Sequence, residues 1–135
     1  MKVYVFGNGN ISYDEFNEKY INILEKGNLI ARSEFILCDF RGVDTLMMEY
    51  LKTKSSNVTI LHIGERPRYM PDKYKTKVSN WKVIGGFSDD RSRDDEAISL
   101  CSHYLAIDQN TDEKRKSGTQ KNIEKCIALG KSPVE

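Results

Sequence analysis

Two stretches of this chain, Phe35–Cys38 (FILC) and Val58–Ile63 (VTILHI), are apolar on both faces of an extended strand. Such strands need cover above and below, which is the condition of a parallel sheet flanked by helices. The remaining sequence supplies both partners. Lys2–Phe6 (KVYVF) has strand composition and ends at Gly7-Asn8-Gly9-Asn10, a strong turn signal. Ser12 and Glu15 then stand at capping-box spacing, and Phe16, Tyr20, Ile23 and Leu24 line one face of a helix that Gly27 stops. After FILC, Gly42 turns the chain and Asp44 is a candidate cap for a helix whose apolar face is Leu46, Met47, Tyr50 and Leu51. Residues 65–80 are irregular, because Pro67 and Pro71 block a long helix. A short strand at 81–84 closes at Gly85-Gly86, and a helix follows from about Arg93 to Ser102. Tyr104–Ile107 is a fifth strand, and a last helix spans about Thr119 to Leu129. Ser132-Pro133-Val134-Glu135 opens an edge strand. The expected fold is α/β, a Rossmann-like, doubly wound, mostly parallel sheet of about five strands with helices on both faces.

With 135 residues the chain has room for one domain, 1–135, and not for two full cores. Lys and Arg total 21 against 20 Asp and Glu, a balance that argues against a strongly basic nucleic-acid binder. No apolar run reaches the roughly 20 residues of a membrane span, and the N-terminal apolar stretch is too short for a signal peptide. A cytoplasmic address is expected. Cys38, Cys101 and Cys126 are odd in number and lack a CxxC spacing, so three reduced, buried thiols are expected, with no metal site and no cofactor.

In sheets of this kind ligands bind beyond the carboxyl ends of the strands. The residues there are Gly7, Asn8, Gly9 and Asn10 after the first strand and Asp39, Arg41, Gly42 and Asp44 after the second. Gly64, Glu65, Arg66 and Arg68 follow the third, and Asp108 follows the fifth. The two glycines of the first turn suit either a close approach to a ligand or a plain turn. Gly118-Thr119 opens a helix, where backbone N–H groups and the helix dipole suit phosphate, with Lys114, Arg115 and Lys116 just upstream. Ser117 or Thr119 as a simple cap explains the same residues. Arg91 and Arg93 lie at a helix start, against the dipole, which suits either a bound phosphate or pairing with neighbouring acids. Residues 65–82 interleave six basic residues with Tyr69, Tyr74 and Trp81, a composition that suits stacking on nucleobases or a solvated loop. Asp39, Asp44 and Asp108 are the candidate catalytic carboxylates. Both histidines, His62 and His103, read as core or boundary residues.

Four segments carry a resemblance: KVYVFGNGN, DFRGVDTLMMEYL, RSRDDEAISLCSHYLAI and SGTQKNIEKCIALGKSPV. In this order and spacing they resemble the SLOG superfamily of Rossmann-like proteins, which includes DprA, Lonely Guy phosphoribohydrolases and YpsA-like proteins. Nucleoside 2-deoxyribosyltransferases are a related-looking group. The resemblance implies a pocket for a nucleotide or a nucleotide-derived, cyclic or signalling ligand. Its floor would be Gly7, Asn8 and Gly9, and one wall Asp39, Gly42 and Asp44. Arg91, Arg93, Gly118 and Thr119 would hold phosphate. Where the hydrolase and transferase branches carry a glutamate, this chain has Asn122, which cannot serve as a nucleophile or base. The first expectation is therefore a sensor or sequestering protein that binds without turnover and forms a homo-oligomer. An N-glycosidic-bond enzyme is the alternative, and single-stranded nucleic-acid binding through residues 66–82 a second. Nucleic acid is not the expected partner, and no membrane is.

Overall fold

The computed structural model describes residues 1–134; Glu135, the end of the expected edge strand, lies outside the described residues. Among the described residues, six strands form one all-parallel sheet in the order β4-β3-β2-β1-β5-β6. They are β1 Lys2–Gly7, β2 Glu34–Cys38, β3 Val58–Ile63, β4 Lys82–Phe87, β5 His103–Ile107 and β6 Ser132–Pro133. The sixth strand is the edge strand expected to open at Ser132. β6 is only two residues long and pairs with β5 at the edge, where a proline costs no ladder bond. β4 runs through Gly85 and Gly86 instead of closing at them. The His62 ring lies where a Cβ on Gly85 would stand, so glycine there serves packing.

The strands alternate their side chains between two apolar layers, as a two-residue period requires. Val3, Val5, Phe35, Leu37 and Ile60 point to one face. There they meet Phe16, Tyr20 and Leu24 from the first helical segment and Met47, Met48 and Leu51 from α4, Val43–Leu51. Tyr4, Phe6, Ile36, Cys38 and Leu61 point to the other face. There they meet Ala97 and Ile98 of α5, Asp90–Leu100, and Cys126 of α6, Gly118–Ala128. All three cysteines are buried and free.

The first helical segment begins as α1, Tyr13–Phe16, with the full Ser12–Glu15 capping box. It widens into one π-helical stretch at Asn17–Ile21, continues as α2, Asn22–Lys26, and ends at Gly27. The wide turn shifts the helical phase, so Ile21 is buried beside Tyr20 while Ile23 is only partly covered. A short α3, Leu29–Arg32, follows. Residues 64–81 connect β3 to β4 with only a 3-10 turn at Val78–Asn80.

Strand order reverses between β1 and β5: the chain builds outward from β1 to β4, then returns to place β5 on the other side of β1. That switch point opens a crevice at the carboxyl ends of the strands. Tyr20 holds its base. Its hydroxyl donates to the Phe6 carbonyl at 2.9 Å and accepts the Ile107 N–H at 3.0 Å, tying β1 to β5 where they begin to diverge.

Candidate functional site

A cleft of about 510 Å³ occupies the switch point. Its lining comes from Asn8, Gly9 and Asn10 after β1, Phe40, Arg41 and Asp44 after β2, and Asp90, Arg93 and Asp94 at the start of α5. Asn110 and Arg115 after β5 and Ser117, Gly118, Thr119 and Asn122 at the start of α6 complete it. Tyr4, Phe6, Gly7 and Cys38 form the floor.

The glycines of the first turn serve packing. A Cβ on Gly7 would strike the Tyr20 hydroxyl and Val43, and one on Gly9 would meet the side chains of Phe40 and Arg41. Gly42 takes φ +79°, and a Cβ there would run into the backbone of Asn8 and Gly9. The loops after β1 and β2 therefore lock together, and glycine is what lets them.

Asn8 is the anchor of the α6 side. Its Nδ2 donates to Asp108 Oδ1 at 2.9 Å and to the Thr119 hydroxyl at 3.3 Å, while its Oδ1 accepts the Gln109 N–H at 2.8 Å. Asp108 also accepts from the Ser117 hydroxyl at 2.6 Å and from the N–H groups of Asn110 and Thr111. Partial burial raises the Asp108 carboxyl, but the hydrogen bonds from Ser117, Thr111, Asn8 and Asn110 outweigh it and hold it well below the usual carboxylate range. Ser117 caps α6 by accepting the Gln120 N–H at 3.0 Å. The cap satisfies one N–H of the first turn, and Gly118 has open space where a side chain would stand.

On the opposite side Arg93 is a hub. It is 4% exposed and reaches Asp39 at 3.0 Å, Asp90 at 3.2 Å and Asp94 at 3.0 Å. Arg68 adds a second guanidinium on Asp39 and Asp90. Burial would raise the Asp39 carboxyl, but hydrogen bonds from Arg68 and the charges of Arg68 and Arg93 hold it below its ordinary value. Asp94 accepts from Asn122 Nδ2 at 3.0 Å, which joins α6 to this network. An arginine at the start of α5 is thus explained by carboxylates, and Arg93 is not free to take a phosphate. Arg91 does not line the cleft; its side chain is 83% exposed and faces Asp95 at 4.0 Å.

Of the three candidate catalytic carboxylates, Asp39 and Asp108 are committed to these networks. Asp44 is left. It does not cap α4 in the expected way, since Gly42 occupies the cap position; its Oδ2 instead accepts the Phe40 N–H at 3.0 Å. Burial pushes its carboxyl up to about 7.

Among the lining residues outside the expected binding set, Phe40, Arg41 and Arg115 stand out, Arg115 having been read only as upstream charge. Arg41 and Arg115 have no carboxylate partner among the described residues. Phe40 presents a partly exposed ring with the guanidiniums of Arg41 and Arg68 each 5.6 Å from its centroid. The signal for all three was position, immediately after β2 and before α6. In the 65–82 loop, Trp81 is buried and donates to the Ser55 carbonyl at 2.8 Å, and Tyr69 bonds Glu49. Tyr74 remains exposed, with Lys75 over its ring.

No family model and no curated protein matches this chain. Among solved structures, it is similar to DNA processing protein A from Helicobacter pylori, with a TM-score of 0.58 and 10% identity over 98% of this chain and 74% of that one. This chain shares that fold. The report of that structure describes a single-stranded DNA binding mode. The expectation that nucleic acid is not a partner is corrected accordingly: a protein built on this fold, DNA processing protein A, binds single-stranded DNA. No helix among the described residues is long and apolar enough to cross a membrane.

Proposed function

We propose that residues 1–135 are one SLOG-like domain whose cleft binds a nucleotide unit of single-stranded nucleic acid. The phosphate sits at the open start of α6, where Gly118 leaves room and backbone N–H groups point outward. Arg115 and Arg41 supply the charge, and the strand continues over Phe40 toward Arg66 of the basic loop. The observation that carries this reading is that two arginines without a carboxylate partner among the described residues, Arg41 and Arg115, line the same cleft as the start of α6, where Gly118 leaves open space. The fold neighbour's single-stranded DNA binding supports it. The protein acts in the cytoplasm, the compartment its three unpaired thiols suit.

Fluorescence anisotropy of a labelled oligodeoxythymidylate, with a duplex of equal length as control, tests it. Tighter binding of the single strand is expected, weakening as salt rises. Arg41→Ala and Arg115→Ala should each weaken it by about tenfold. Equal or absent binding of both nucleic acids sinks the reading.

A second reading has its own support: a cleft of about 510 Å³ falls in the range of small-ligand pockets, which run from about 300 to about 1,000 Å³. The ligand would then be a free nucleotide or nucleotide derivative, sensed or sequestered without turnover. Mononucleotides that displace the oligonucleotide at equal or lower concentration would favour it.

A further inference from the structure

One carboxyl of the cleft stays outside both hydrogen-bond networks. Asp44 is 5% exposed and lines the cleft. Its Oδ2 accepts the Phe40 N–H, and among the described residues nothing donates to Oδ1. The other two cleft carboxylates are occupied: Asp94 by Arg93 and Asn122, Asp90 by Arg93 and Arg68. Ionisable and charged groups surround Asp44 from every packed element. β1 brings Tyr4, the first helical segment Tyr20, and β2 with its loop Cys38, Asp39 and Arg41; α5 brings Arg93 and Asp94.

With Asp44 ionised, the lining holds three carboxylates, Asp44, Asp90 and Asp94, against three guanidiniums, Arg41, Arg93 and Arg115. An anion then enters a site of no net charge and meets an acceptor-only oxygen at Oδ1. With Asp44 protonated the lining carries one net positive charge, and its carboxyl O–H becomes a donor. The start of α6 and this buried carboxyl, whose Oδ1 has no donor among the described residues, thus call for the same ligand only in one protonation state.

Resting on the phosphate-binding reading above, we propose that Asp44 contacts the anionic ligand as a neutral carboxylic acid, donating a hydrogen bond from Oδ1, so that binding takes up one proton. Burial is the main influence on the free group and pushes it to about 7, and Asp94 and Asp39 add to the push, while the Phe40 N–H and Arg93 oppose it. A seated anion raises it further. The neutral form therefore dominates below about pH 7 and the affinity is full there. Above that value the affinity falls about tenfold per pH unit, until the ligand-bound group also ionises.

The test is anisotropy with an oligodeoxythymidylate carrying only phosphodiesters, so that the probe itself does not titrate. It is read from about pH 5.5 to about pH 8.5 at constant ionic strength, on the wild type and Asp44→Asn. The wild type should lose about tenfold per unit above pH 7, and Asp44→Asn should vary by less than about twofold across the range. Equal slopes in the two proteins overturn the proposal and leave strand binding standing. No binding by the wild type at any pH overturns both. Carboxyl-carbon NMR on the free wild type guards against a misfolded variant: an Asp44 midpoint near 7 is expected, and one below about 5 overturns the proposal by itself.

Discussion

The two walls of the cleft are built from the same residue types and end in opposite states. On the α5 wall, Arg93 and Arg68 are consumed by Asp39, Asp90 and Asp94, and the guanidiniums hold the fold together. On the α6 wall, the carboxylate Asp108 is consumed by Asn8, Ser117 and backbone N–H groups. Among the described residues no cation is drawn into that network. The first wall is finished internally, while the second leaves Arg115 and the start of α6 facing the cleft. An arginine's availability is therefore set by which carboxylates the fold brings within reach, not by its place on a helix.

The largest test of that contrast is Arg93→Ala. It would leave Asp39, Asp90 and Asp94 without their shared partner, with Asp39 buried and Asp94 partly so. A loss of about 3–5 kcal/mol is expected in chemical denaturation at neutral pH. A loss under about 1 kcal/mol would show the hub to be dispensable and Arg93 to be held for some other purpose.

Asp44→Asn should act in the opposite direction. A carboxyl whose folded-state value lies above its unfolded value costs stability as pH rises through that window. Here the window runs from the ordinary carboxylate range to about 7. Wild-type stability should fall across it and level off above. The variant, lacking the ionisation, should be more stable by about 4 kcal/mol at pH 8 and nearly equal at pH 4. Equal stability at both would place the Asp44 carboxyl in contact with more solvent than its burial implies.

Asp108→Asn probes the α6 wall. Its folded-state value is depressed, so its contribution is present above the ordinary carboxylate value and lost as pH falls below it. Replacing it should cost about 2 kcal/mol at pH 7 and little at pH 2, because charge-assisted acceptance from several donors is lost. Thermal melts at the two pH values read the difference. The smallest effect belongs to Arg91→Ala. An exposed pair at 4.0 Å should change stability by less than about 0.5 kcal/mol and leave oligonucleotide affinity unchanged. A tenfold loss of affinity would return Arg91 to the binding surface.

Much of the fold was legible in local signals. FILC and VTILHI announced a covered parallel sheet, and Ser12–Glu15, Gly27 and Ser117 marked helix ends where the chain indeed turns. Local signals failed where the cause lay elsewhere in the chain. Nothing near Tyr20 shows that the helix widens at Asn17–Ile21, since the hydroxyl's partners are Phe6 and Ile107. Gly7, Gly9 and Gly42 read as ligand-facing because glycine permits close approach, and sequence cannot say approach to what. A Cβ at these glycines would meet Tyr20, Phe40, Arg41 or neighbouring backbone, while Gly7 and Gly9 also line the cleft.

The sequence by itself determined the strands, the helices and which ends of the strands collect polar residues. Periodicity and turn chemistry act over a few residues, so they can be read in order along the chain. Only the tertiary structure decided which charges remain free. Arg93 and Asp39 stand 54 positions apart, and Asn8 and Asp108 stand 100 apart. Electrostatic satisfaction depends on distance in space and on exclusion of water, and neither is written at the residue itself.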